Sequence, residues 1–148
     1  MYSKEVLKHF KHPHNMGEIK NPDGLGKIGN PVCGDVMYVY LRVSQTKEGK
    51  PYIKDIKVKT FGCIAAIATS SALTDLVKGK TLEEALKISN QHIIDIIRGL
   101  PPQKLHCSVL AESALKEAIY DYLSRNNLPI PESLKEFHER IKKAQGEI

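Results

Sequence analysis

The sequence predicts a small α+β domain: an antiparallel sheet of about three strands, covered on one side by helices. Three observations carry this. Residues 37–58 alternate apolar and polar with a period of two on either side of one glycine-containing turn. From residue 64 onward, apolar residues recur at helical spacing in separate runs. A chain of 148 residues is long enough for one ordinary core.

The elements follow in order. Ser3 caps a short helix in which Val6, Leu7 and Phe10 share a face, and Pro13 helps to end it. Residues 15–34 are rich in Gly, Asn and Pro and read as irregular chain with one short strand near Gly24–Gly29. Met37, Val39, Leu41 and Val43 then alternate with Tyr38, Tyr40, Arg42 and Ser44 in a half-buried strand. Thr46 to Pro51 is a hairpin loop, and Ile56 and Val58 mark the return strand. After Gly62-Cys63, the alanine- and serine-rich run from Ile64 to Val77 predicts a buried, closely packed helix stopped by Gly79. Thr81 and Glu84 form a capping box for a second helix over Leu82–Ile88. Ile93, Ile94, Ile96 and Ile97 mark a third, ended by Gly99. Leu100-Pro101-Pro102 must be extended. A long helix starts at about Ser108, with Leu110, Ala114, Leu115, Ala118, Ile119 and Tyr122 inward. After a break at Asn126–Pro131, Leu134, Phe137, His138 and Ile141 stripe a last amphipathic helix. Residues 1–126 read as the domain proper. Residues 127–148 read as its C-terminal helical extension, expected to pack back on the core.

Charge and composition narrow the function classes. The 22 Lys and Arg exceed the 17 Asp and Glu, but most of the excess is lysine scattered along the chain. With four arginines, no tryptophan and no basic run interleaved with aromatics, a nucleic-acid surface is not indicated. No stretch approaches the roughly 20 apolar residues that span a bilayer. The N-terminus lacks a charged-then-apolar signal pattern, so the chain is expected to stay in the cytoplasm, away from membranes. An odd number of cysteines, three, points to free thiols or metal rather than disulfides.

Those cysteines carry the chemistry. Cys33 lies in Asn30-Pro31-Val32-Cys33-Gly34-Asp35, Cys63 in Phe61-Gly62-Cys63, and Cys107 in Lys104-Leu105-His106-Cys107, each at a predicted loop or junction. Two have a second donor close by, Asp35 and His106. Three thiols with a weaker oxygen or nitrogen donor suit a soft or borderline metal that must later leave, either zinc or an iron–sulfur centre. Asp35 and His106 compete for the fourth position. Cys63 and Cys107 fall at predicted helix N-termini, where free N–H groups and the dipole favour thiolate. His9, His12, His14, His92 and His138 read as surface or packing residues, with adventitious metal binding open to His12-Pro13-His14.

At these residues the chain resembles the scaffold family of iron–sulfur cluster assembly, the IscU/NifU-type proteins. The matching pieces are Tyr2-Ser3 through Asn15-Met16-Gly17, then Asn30-Pro31-Val32-Cys33-Gly34-Asp35-Val36-Met37, Lys59-Thr60-Phe61-Gly62-Cys63 and Val77-Lys78-Gly79-Lys80-Thr81-Leu82-Glu83-Glu84-Ala85. Last comes Leu100-Pro101-Pro102-Gln103-Lys104-Leu105-His106-Cys107-Ser108 with Val109 to Glu112. The resemblance implies a scaffold, not an enzyme. It would build a transient [2Fe–2S] cluster from ferrous iron and persulfide sulfur supplied by a cysteine desulfurase, then pass it to apo-proteins. It implies Cys33, Asp35, Cys63, His106 and Cys107 as cluster and metal ligands, Cys107 as persulfide acceptor, and zinc as an occupant of the cluster-free form. It also implies Leu100, Pro101, Pro102, Gln103 and Lys104 as a docking segment for an Hsp70-type chaperone with its J-type co-chaperone.

Three departures from the family pattern stand out. Ile64-Ala65-Ala66-Ile67-Ala68-Thr69 replaces Gly-Ser-Ala-Ile-Ala-Ser, Gln103 replaces a valine, and residues 127–148 run past the usual end. The alternative is a zinc-dependent sulfurtransferase that takes persulfide without holding a cluster. Those relatives carry an insertion among the helices and lack Leu-Pro-Pro-x-Lys, whereas this chain has the motif and no such insertion. A purely structural zinc and a thiol hydrolase are weaker readings still.

Overall fold

The computed structural model describes residues 2–29 and 34–144. Three antiparallel strands, β1 (Gly24–Gly29), β2 (Val36–Gln45) and β3 (Pro51–Thr60), lie in the order β1-β2-β3. Among the described residues six α-helices accompany them: α1 (Lys4–Lys11), α2 (Ile64–Val77), α3 (Leu82–Leu86), α4 (Asn90–Ile96), α5 (His106–Arg125) and α6 (Glu132–Ala144). The three-stranded sheet with helices on one face is the predicted class. The alternation of β2 does what its period requires: Met37, Val39 and Leu41 are fully buried, while Tyr38, Tyr40 and Arg42 face outward and are only half-buried.

Register places the working end of the sheet. Met37 pairs with Thr60, so the two residues before β2 and the two after β3 meet, Asp35 opposite Gly62. On the other side Gly29 pairs with Val36. Gly24, Gly26 and Ile28 are the inward positions of β1, and α5 lies directly on the two glycines. A β-carbon built on Gly24 would come 2.5 Å from the Ala118 carbonyl oxygen, and one on Gly26 would run into the Ala114 carbonyl oxygen. Two residues of β1 therefore match four of α5, about 6–7 Å by either rise, with the two running antiparallel. The N-terminus of α5 is thus carried to the same end as Asp35 and Gly62.

The helices depart from expectation in instructive ways. α2 spans the predicted Ile64–Val77 and is buried nearly all round, and the Thr81–Glu84 capping box is formed at α3. The long helix, however, begins at His106 rather than Ser108. Pro102–Lys104 forms a 3-10 turn that leads into it, so Pro102 is not extended as expected, whereas Pro101 is. On α1, Val6 is buried and His9 meets Ser71 of α2, while Leu7 and Phe10 are each 37% exposed. The stripe of α6 rests on the core through buried Leu134 and partly buried Phe137 and Ile141, with His138 stacked on Tyr120 and hydrogen-bonded to Glu117. No helix of the described residues is long and apolar enough to cross a membrane.

Candidate metal centre

Four of the five predicted donors converge at the sheet end. Asp35 arrives from the start of β2, Cys63 is the N-cap residue of α2, and His106 and Cys107 open α5. Cys33 lies outside the described residues. The Cys63 and Cys107 sulfurs are 3.8 Å apart, and the Asp35 Oδ2 sits 4.0 Å from the first and 3.9 Å from the second. His106 Nε2 is 3.6 Å from the Cys107 sulfur. Donor atoms of Asp35, His106 and Cys107 all lie within 4.8 Å of one another.

These separations fit a tetrahedral metal. With Zn–S of about 2.3 Å, the edge between two sulfurs of a tetrahedron is about 3.8 Å. The Cys63–Cys107 pair already has that spacing, and the sulfur–oxygen distances exceed the corresponding edge by only a few tenths of an ångström. The side chains stand at ligand distance from one another, the spacing a site with thiolate donors needs.

Packing explains why they are so placed. Cys107 is fully buried in a small cluster with Ala65 and Ala66, the first turn of α2, with Tyr2, Cys63 and Leu100 closing over it. Thr69 Oγ1 donates to the Cys107 carbonyl, tying α5 to α2. Asp35 is buried as well, against Gly62: a β-carbon there would lie 3.0 Å from the Asp35 Cγ and 2.6 Å from the Ala66 Cβ. Gly62 is thus part of the site, a role visible in the sequence only as the glycine before a cysteine.

The electrostatics overturn one expectation. Cys107 does sit in the first turn of α5, yet its thiol is pushed well up from the ordinary range. Burial is the main cause, followed by the neighbouring Cys63 and the Asp35 carboxylate; Lys104 opposes them. Desolvation, with Cys63 and the Asp35 carboxylate adding to it, outweighs the helix end and favours the thiol form of Cys107. The Lys104 ammonium is itself pushed up, chiefly by Cys63, so the cation of the predicted docking segment faces the sulfurs. Within that segment Leu100 and Pro101 are half-buried, while Pro102 and Gln103 are exposed. Beside the donors in the chain stand exposed apolar side chains: Phe61 is 66% exposed, Val109 48% and Leu105 41%.

Comparison with known proteins agrees with the arrangement. Residues 1–128 match the family described as the NifU-like N-terminal domain. The chain is 52% identical over 126 residues to the iron–sulfur cluster assembly scaffold protein IscU 1 of Archaeoglobus fulgidus, covering 85% of this chain and 79% of that one. It is 44% identical over 124 residues to the scaffold protein IscU of Aquifex aeolicus, covering 84% and 77%. A crystal structure of the N-terminal part of a nitrogen-fixing NifU-like protein from Brucella abortus shares the fold at 18% identity. Its TM-score is 0.61, over 82% of this chain and 94% of that one. With the fold, the converging thiols and these relatives in agreement, the chain belongs to the NifU-like N-terminal domain family.

Proposed function

We propose that this protein is a scaffold on which a [2Fe–2S] cluster is assembled and from which it is handed to apo-proteins. The observation that carries the reading is the triangle of Asp35, Cys63 and Cys107, with edges of 3.8 to 4.0 Å, in which two soft donors share a site with one hard oxygen. Such a set holds thiophilic iron yet leaves a weak bond through which the cargo can leave. Cys33, two residues from Asp35, is the third thiolate of the proposal, and His106 the alternative fourth ligand.

Ferrous iron and sulfur are the substrates. In the sulfur step the Cys107 thiolate attacks the outer sulfur of a persulfide on a cysteine desulfurase. A new S–S bond forms on Cys107, the old one breaks, and the desulfurase cysteine leaves as thiolate, so no outside oxidant is needed. Burial pushes the Cys107 thiol up, and Lys104 is placed to favour the thiolate that this step needs. In the cluster-free protein the same donors hold zinc, which releases protons on binding. The exposed Phe61, Leu105 and Val109 are where the desulfurase and the apo-protein acceptors approach. Pro102 and Gln103 offer a chaperone and its co-chaperone an accessible edge. Thiols kept free in this way require a reducing compartment, which supports a cytoplasmic location.

Anaerobic reconstitution with ferrous iron, cysteine and a cysteine desulfurase, followed by addition of an apo-ferredoxin, tests the proposal. A [2Fe–2S] absorption spectrum that forms on this chain and then moves to the ferredoxin is expected. Persulfide on a protein that keeps its zinc and never holds a cluster would overturn it.

A further inference from the structure

A second group of metal-ligating side chains lies away from the sulfurs, between α1 and α2. His9 on α1, His14 on the loop after it and Asp75 on α2 each place a ligand atom within 4.8 Å of the others. Along α2, Asp75 is twelve residues from Cys63, about 18 Å at the helical rise, so the two groups cannot share an ion.

The supports of this group are built in. The Ser71 hydroxyl oxygen meets the His9 Nδ1 at 2.8 Å and accepts the His14 backbone N–H at 2.7 Å. Where it also accepts a proton from His9 Nδ1, the lone pair of that ring lies on Nε2, the orientation that hydrogen-bond partners of metal-bound histidines impose. His14 Nδ1 is 2.7 Å from Asp75 Oδ2, and the two rings stand 4.9 Å apart, tilted by 58°. The loop is pinned as well. Asn15, in a left-handed conformation, donates through Nδ2 to Thr74 Oγ1 and accepts at its carbonyl from the Val58 N–H. All three donors therefore sit on segments fixed to one another.

We propose that His9, His14 and Asp75 form a second cation site, for zinc or another first-row divalent ion of similar character. Two imidazoles and one carboxylate match that class, whereas Ca²⁺ and Mg²⁺ favour all-oxygen sites and Cu(I) favours sulfur. The ion takes one nitrogen from each ring and an Asp75 oxygen, replaces the His14–Asp75 hydrogen bond, and leaves at least one position to water. It fastens α1 and the following loop to α2. The neighbouring His12, exposed at the C-cap of α1, is not a member, although His12-Pro13-His14 is the pattern the sequence displays.

The test is a zinc titration of the whole protein by calorimetry, repeated with cobalt to separate the centres by colour. The first equivalent should fill the thiolate centre, with sulfur-to-cobalt charge transfer. A second, weaker equivalent should bind without adding to that band. His14→Ala and Asp75→Asn should each weaken the second phase at least about tenfold and leave the first intact, which also shows that the variants are folded. His12→Ala should leave both unchanged. Absence of a second phase, or its survival in either of the first two variants, overturns the site. Loss in His12→Ala, alone or with the others, overturns the donor set and moves the ion to the tripeptide.

Discussion

Substituting alanine for Gly62 tests the close approach that holds Asp35 in the site. The new methyl group would meet the Ala66 Cβ at 2.6 Å and the Asp35 Cγ and Oδ1 at 3.0 and 3.1 Å. Ordinary contact begins near 3.5 Å, so the first turn of α2 must give way by nearly an ångström and the Asp35 side chain by a few tenths. Overpacking of this size costs about 1–3 kcal/mol, against about 0.4–1 kcal/mol returned by stiffening the unfolded chain. A net loss of about 1–2 kcal/mol follows, or about 3–6 °C in melting temperature for a chain of this length. Zinc affinity should fall too, since Asp35 is displaced from the sulfurs. Urea unfolding of the metal-free protein, with zinc titration of the same samples, measures both. Combining Gly62→Ala with Asp35→Ala should recover part of the stability, a coupling of about 0.5–3 kcal/mol. Equal or greater stability of Gly62→Ala alone would refute the packing argument. Strict additivity with Asp35→Ala would show that the clash is with Ala66 and not with the ligand.

Other outcomes follow from the same geometry. Asp35→Ala should make a reconstituted cluster longer-lived while slowing its transfer to apo-ferredoxin; faster loss of the cluster would count against the hard oxygen as the weak bond. Cys107→Ser should remove most persulfide loading by a desulfurase, as read by mass spectrometry. Unchanged loading would move the acceptor role to Cys63, the more exposed sulfur, or to Cys33. The Glu84 carboxylate is held below its ordinary range by the Thr81 N–H it accepts from. Its contribution to stability is therefore present above the unfolded value, about pH 4.3, and is lost as the pH falls through the folded value. Glu84→Gln keeps the capping geometry without the charge, so it should flatten the acid limb of a stability–pH curve; an unaltered limb would refute the assignment.

What could be read from the sequence was whatever local chemistry decides. The limits of α2 follow from an apolar run bounded by Cys63 and Gly79, α3 from its capping box, and β2 from its alternation. The start of α5 was misjudged by two residues because Leu105 offers no capping side chain, and Pro102 opens a turn that passes into the helix without a break. The candidate ligands were legible as residue types at junctions, but not their spacing. That depends on strand register, which sets Asp35 against Gly62, and on the burial that keeps the Cys107 proton in place. The His9–His14–Asp75 group was hidden for a related reason, since Asp75 lies 61 or more positions after the two histidines and meets them only when α1 packs on α2.

The seating of α5 on Gly24 and Gly26 has a consequence for how this protein can be altered. Because the carbonyls of Ala114 and Ala118 rest on bare backbone, the helix has no side-chain cushion to absorb a change there. Added bulk at either glycine would lift the whole rod and swing its leading end, where His106 and Cys107 ride. Ala114 is seven residues from Cys107, about 10 Å along the axis. The tolerance of the metal centre is thus set by two positions that touch no metal, and a search for affinity variants confined to the ligands would miss them.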